Sequence, residues 1–151
     1  EIYTLSLHDA LPIYGKVIFS LSLDTTRPIQ VSFGLNKDNP KKTELSDALV
    51  FFEINCNDTD AIKFPVEMQF YYDPGSIDDL GMSEDDIGIY YYNEENGEWE
   101  ELYREVNSNE NYVWFKLEHF SFYSVARTDQ GGLGDSPFID GYTGFALIAT
   151  I

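Results

Sequence analysis

The chain has 151 residues, with 27 acidic and 9 basic side chains and a formal charge of −18 at pH 7. Such an acidic surface repels phosphate backbones and anionic bilayers, which argues against nucleic acid as a partner. Its 43% hydrophobic content suffices for one core, because a chain of this length buries about two-thirds of its unfolded surface. The 16% aromatic share, mostly Tyr and Phe, favours strands. The single cysteine, Cys56, permits no internal disulfide and no thiolate zinc knuckle.

Residues 1–13, from Glu1 to Ile13, resemble a peptide produced when sequencing-adapter DNA is translated into a reading frame. They are read as a non-native leader and set aside. The segment has no basic start and Pro12 interrupts it, so it does not read as a signal peptide. The domain proper is expected over 14–126. Strict alternation predicts a strand over Gly15 to Leu23, and a second where Ile29, Val31 and Phe33 alternate with Gln30, Ser32 and Gly34. Asn36 to Lys42 is a polar loop. Leu49 to Ile54 is apolar on both faces, which predicts a central strand.

Lys63 to Tyr72 predicts the next strand, with Pro65 tolerated near its start. Asp73-Pro74-Gly75-Ser76 reads as a type II turn, with Pro second and Gly third. Ser83 can cap a single helical turn over Glu84 to Asp86. Short helical pieces are therefore expected near 76–86. Ile87 to Tyr92 and Glu98 to Glu105 form a predicted hairpin around Asn96-Gly97, which accepts the positive φ such turns need. Asn111 to Leu117 and Phe120 to Ala126 complete the series. Strands every ten or so residues predict an all-β, antiparallel β-sandwich of about seven to eight strands.

The character then changes. Residues 127–141 form a Gly/Ser/Pro linker, and 142–151, from Tyr142 to Ile151, are apolar and nearly uncharged. This run is shorter than the about 20 residues a membrane span needs. It is read as the truncated start of a membrane anchor.

Several pieces carry a family resemblance: Phe51-Phe52-Glu53-Ile54-Asn55, Ile62-Lys63-Phe64-Pro65-Val66, Phe70-Tyr71-Tyr72-Asp73-Pro74, Ile87-Gly88-Ile89-Tyr90-Tyr91-Tyr92-Asn93, Gly97-Glu98-Trp99-Glu100 and His119-Phe120-Ser121-Phe122. Together they resemble the C-terminal β-sandwich domain of archaeal and other prokaryotic cell-surface proteins, surface-layer-like and of the PGF-pre-PGF type. The resemblance implies a non-catalytic sandwich ahead of a linker and a membrane tail. The tail departs from that pattern, with Ser136-Pro137-Phe138 and Gly144-Phe145 but no Pro-Gly-Phe triplet. Within this pattern Trp99 and Trp114 are expected to face each other across strands and bury aromatic area. One ring of Tyr90, Tyr91 and Tyr92 is expected to face opposite to the other two. His119 is expected to hydrogen-bond backbone at a corner, leaving Phe120 and Phe122 in the core.

Ser121 lies two residues from His119 but has no nucleophile elbow around it, and no family signature surrounds Cys56. No catalytic residue is therefore assigned. Calcium prefers clustered carboxylate oxygens, and the loops offer Asp58, Asp60, Asp78, Asp79 and Asp85, without the spacing of an EF-hand. Asn57-Asp58-Thr59 is a glycosylation sequon on a predicted turn, with Asn57 as acceptor. The expected role is a scaffold domain of an exported, membrane-anchored cell-surface protein, in a surface layer or an adhesin. Its partners would be upstream domains of its own chain, the membrane through its tail, and other surface proteins or glycans. The alternative is a carbohydrate- or ligand-binding module with exposed Tyr and Trp and calcium in its loops.

Overall fold

The computed structural model describes residues 2–11, 15–36, 38–129 and 147–150. Eleven strands are found among them: β1 (Ile2–Leu11), β2 (Gly15–Ser22), β3 (Val31–Asn36), β4 (Ala48–Cys56), β5 (Val66–Tyr71), β6 (Ile87–Asn93), β7 (Glu98–Glu101), β8 (Arg104–Asn107), β9 (Tyr112–Leu117), β10 (Phe122–Arg127) and β11 (Leu147–Thr150). They form two antiparallel sheets, one in the order β1-β2-β5-β9-β8 and the other β11-β3-β4-β10-β6-β7. Without the two terminal strands the sheets hold four and five strands, an all-β sandwich as the alternation predicts.

The core lies between the sheets because each strand turns every second residue inward. Phe19 and Leu21 of β2, Val66, Met68 and Phe70 of β5, and Val113, Phe115 and Leu117 of β9 form one wall. Val31, Phe33 and Leu35 of β3, Phe52 and Ile54 of β4, Ile87 and Ile89 of β6, and Tyr123 and Val125 of β10 form the other. Phe19 joins the walls, its ring centroid 4.9 Å from both Phe33 and Phe52. β4 lies between β3 and β10 and buries both faces, since Phe51 on its outer side is also buried. Tyr91 packs toward the main core while Tyr90 and Tyr92 face outward, the split that period two requires.

Two expected elements differ. Asp73-Pro74-Gly75-Ser76 is not a type II turn. It opens a short helix, α1 (Pro74–Asp79), with Asp73 as N-cap accepting from the Ser76 N–H at 3.1 Å and Pro74 in the first turn. Gly75 has no positive φ, which the turn would require. The helix ends at Asp79, and Gly81, just past its C-cap Leu80, has a φ of +71°. The Gly81 N–H donates to Asp78 and the Met82 N–H to Ile77, while Ile77 and Met82 are both buried. Farther on, Glu84–Asp86 form a single 3₁₀ turn, and the Asp86 carboxylate accepts from the Ser83 N–H at 2.8 Å.

The predicted return strand Glu98 to Glu105 is in fact two. β7 pairs with β6, whereas β8 pairs with β9 in the opposite sheet. The chain crosses at Leu102 and Tyr103. Leu102 packs against the core and its N–H donates to the Ile89 carbonyl at 2.8 Å, while Tyr103 is 73% exposed. Arg104 then reaches back across the sandwich, donating from Nε to the Ile87 carbonyl and from Nη2 to that of Asp85, each at 2.8 Å.

The corner before β10 is also corrected in detail. The Tyr123 hydroxyl donates to the His119 carbonyl four residues upstream, a tyrosine corner. Burial pushes that hydroxyl above its ordinary range and keeps it a protonated donor. Tyr123 therefore occupies the core, together with half-buried Phe120, which packs edge-on to Phe64. Phe122 faces outward instead, beneath the Lys41 ammonium at 4.0 Å. Trp99 and Trp114 do not face each other, because they lie on the outer faces of different sheets, away from the core between them.

The domain body also continues past Ala126. Arg127 and Thr128 are only 8% and 5% exposed. Arg127 Nε donates to Asp47 Oδ2 at 3.1 Å, and the Thr128 N–H to the Asp86 carbonyl at 2.7 Å. Gly88 lies beside this segment, where an added Cβ would sit 2.9 Å from the Thr128 Cα. Residues 130–141 of the expected linker lie outside the described residues, as do 1, 12 and 13 of the expected leader. The leader's remainder forms β1, paired along β2. An open sheet edge can pair with a segment of any origin, so this pairing does not bear on where the leader comes from. Of the expected anchor, Leu147–Thr150 pairs with β3, and the rest lies outside the described residues. No helix among the described residues is long and apolar enough to cross a membrane.

Candidate binding groove

The two outer faces of the sandwich are treated differently by the chain. On the six-stranded sheet, residues 38–47 run as a strap over Phe51, Tyr90, Tyr92, Trp99 and Phe122. Leu45 packs on this cluster, the Trp99 indole N–H donates to the Thr43 carbonyl at 2.9 Å, and the Thr43 hydroxyl donates to the Gly97 carbonyl. Lys41 lies over the Tyr92 and Phe122 rings and pairs with Glu94 at 2.6 Å. These aromatics are satisfied within the domain.

The outer face of the five-stranded sheet carries aromatics over which no strap runs among the described residues. β5 turns Gln69 and Tyr71 outward, β9 turns Tyr112 and Trp114 outward, and β8 adds Glu105 and Asn107. Register sets Gln69 beside Trp114 and Tyr71 beside Tyr112, then Trp114 beside Glu105 and Tyr112 beside Asn107. The Tyr71 and Tyr112 rings lie 5.2 Å apart at 53°. Strand rise puts Tyr112 and Trp114 about 7 Å apart along the same face.

A cleft of about 540 Å³ opens over Gln69, Glu105, Asn107, Tyr112 and Trp114, within the range of small-ligand sites. Its side chains are held in place. The Tyr71 hydroxyl donates to Gln69 Oε1 at 2.7 Å, and Asn107 Nδ2 to the Tyr112 oxygen at 3.0 Å. Asn107 Oδ1 accepts from the N–H groups of Asn109 and Glu110 and so fixes the turn at the cleft's end. Tyr103 donates to Glu105 at 2.8 Å. Lys116 lies 5.3 Å over the Trp114 ring, an exposed cation–π contact worth about 0.5–1 kcal/mol. Partial burial, then the neighbouring Tyr112 and Glu110, push the Tyr71 hydroxyl up; the Glu105 hydrogen bond does so at Tyr103. Both hydroxyls therefore stay neutral at physiological pH.

The sequence carried a signal for this face. Gln69 and Tyr71 alternate with buried Met68 and Phe70, and Tyr112, Trp114 and Lys116 alternate with buried Val113, Phe115 and Leu117. Parity alone assigns them outward, and treating Trp114 as a core residue overrode it.

The residues singled out from sequence lie elsewhere. The calcium candidates are not drawn together, and no group of three His, Cys, Asp or Glu among the described residues could hold a metal ion. Asp58 is tied to Arg27 at 2.5 Å, and that hydrogen bond and charge hold its carboxyl below the usual range. Asp60 is exposed on a 3₁₀ turn, Asp78 and Asp79 are exposed at the end of α1, and Asp85 is exposed on the second 3₁₀ turn. Asn57 is exposed, and its Oδ1 accepts from the Gln30 N–H at 2.9 Å. Cys56 ends β4, packs against the core and accepts the Asp58 N–H at 3.3 Å. His119 Nδ1 lies 3.2 Å from the Tyr123 hydroxyl, while the Ser121 carbonyl accepts from the Ile54 N–H at 3.1 Å. The structure thus joins His119 to Tyr123 rather than to Ser121. No family model, curated protein or solved structure matches the chain.

Proposed function

We propose that this domain is a non-catalytic scaffold of an exported, membrane-anchored prokaryotic cell-surface protein, serving as a membrane-proximal spacer. The observation that supports this reading is the anchoring of its last core strand. A spacer transmits load through the strand that leads toward its attachment, and that strand must not peel away. β10 is flanked on both sides, by β4 and β6, so pulling on it must break two ladders together. Its end is clamped as well. Arg127 is buried against Asp47, Thr128 bonds Glu101, and the Asp129 N–H donates to Glu101 Oε1 and the Tyr90 oxygen. The high negative charge keeps such a domain solvated at a crowded surface.

Location tests the reading. Intact source cells treated with protease should lose the epitope recognised by an antibody against this domain, without lysis. An epitope protected until lysis would count against a surface role.

A further inference from the structure

We propose that the cleft on the outer face of the five-stranded sheet binds a neutral oligosaccharide. This is independent of the spacer reading and concerns the opposite sheet from the clamped strand. Three observations carry it.

The first is the contrast between the faces. The chain covers the outward aromatics of the six-stranded sheet with its own strap, fastened at Trp99 and Lys41. It leaves Trp114, Tyr112 and Tyr71 half-buried on the other sheet, with polar side chains set between them, and Tyr103 exposed in the crossing just before it. Rings held in register beside ordered hydrogen-bonding groups are a prepared surface.

The second is the chemistry of the groups. A sugar ring offers an apolar C–H face and a rim of hydroxyls, each both donor and acceptor. Trp114 and Tyr112 match the face. Gln69 Nε2 and the second N–H of Asn107 Nδ2 are donors, and Glu105 is an acceptor for hydroxyl protons. The carboxamides are fixed by Tyr71 and by the turn at 107–110, so little ordering is needed on binding.

The third is charge. Glu105 lines the cleft, the charge of Glu110 reaches the neighbouring Tyr71, Lys116 lies over Trp114, and the chain carries −18 overall. An anionic ligand, whether a sulfated or uronic glycan or a nucleotide, would be repelled. An extended peptide would seek the open edge of β8 for main-chain pairing rather than a face of side chains. A neutral polyol has neither difficulty. Lys116 lies over Trp114 on a long exposed side chain, and the ligand displaces it.

The probes are neutral linear oligosaccharides of glucose, mannose, galactose and N-acetylglucosamine, titrated into the full chain and followed by calorimetry. Sulfated and uronic oligosaccharides and a random peptide library run in parallel. The expected result is saturable binding of at least one neutral series, weakened tenfold or more by Trp114→Ala and by Gln69→Ala. Trp114→Phe should retain part of it. Each variant is checked for an unchanged melting midpoint, because both residues lie on the outer face. Absence of binding to every neutral series overturns the proposal. So does binding confined to anionic glycans or peptides, or binding that Trp114→Ala leaves intact. None of these outcomes touches the protease-accessibility test of the spacer reading.

Discussion

Replacing Arg127 with alanine is expected to destabilise the domain by about 3–5 kcal/mol. The Arg127 and Asp47 side chains are 8% and 4% exposed, and their Nε–Oδ2 distance is 3.1 Å. Neither charge has ready access to water. Removing one partner leaves the other charge buried beside a space the side chain had filled, and that desolvation dominates the loss. Asp86, 3.6 Å from Arg127 Nη1, is bereft at the same time. The Arg127 N–H also donates to the Asp47 carbonyl at 3.2 Å, so backbone and side chain together tie the loop before β4 to the end of β10. Asp47 has φ +53°, a conformation Asp and Asn tolerate better than most residues. Asp47→Asn keeps that conformation and the volume, leaves Asp86 as a counter-charge, and should cost less than Arg127→Ala. Arg127→Lys keeps the charge but loses the guanidinium fork, and should fall between them. Chemical denaturation of the three variants checks the order. For Arg127→Ala the fall in Tm should be on the order of 10 °C.

Phe52→Ala is expected to cost a similar amount, about 3–5 kcal/mol, by a different mechanism. Phe52 is fully buried on a strand paired on both sides. Its ring stacks on Phe33 and Tyr123, each at 5.4 Å, and meets Phe19 of the opposite sheet at 4.9 Å. Truncation opens a cavity where the two sheets meet, and three rings of that size cannot collapse into it without leaving their rotamers. Phe122→Ala provides the contrast. Phe122 lies outside the core under half-buried Lys41 and should lose roughly the 0.5–2 kcal/mol of a cation–π contact plus a little buried area. Equal losses at 52 and 122 would mean that β10 is out of register by one residue.

The contrast between those two phenylalanines shows where sequence reasoning succeeds. Period-two alternation located β3, β4, β5, β6 and β9 and, in β3 and β5, chose the inward residues, because sheets bury alternate side chains. At β10 the same reasoning failed. His119-Phe120-Ser121-Phe122 alternates cleanly, yet the strand begins only at Phe122, after a corner held by Tyr123. That corner depends on a hydrogen bond reaching back four residues, which alternation does not encode. The sheet switch at Leu102 was equally hidden. It has no Gly or Pro to mark it and is fixed by long-range bonds from Leu102 and Arg104 to β6 and the turn before it. Pro74 and Gly75 have the residues of a turn, but Asp73 caps a helix there instead, and the buried Ile77 and Met82 decide between them.

The proposed binding cleft was half visible. Outward Tyr and Trp mark a binding module, and parity places Tyr71, Tyr112 and Trp114 on one face. What parity cannot supply is which of two aromatic outer faces the chain covers. That follows from the strap at 38–47, whose polar sequence gives no hint that Thr43 and Lys41 seal Trp99 and Phe122.

The spacer account is tested most directly by pulling on the domain. Single molecules would be extended through handles at Gly15 and Asp129, comparing the unaltered chain with Arg127→Ala. The account expects one cooperative unfolding event, at a force that drops clearly in the variant. Gradual unravelling from the Asp129 end, or equal forces for the two proteins, would contradict it.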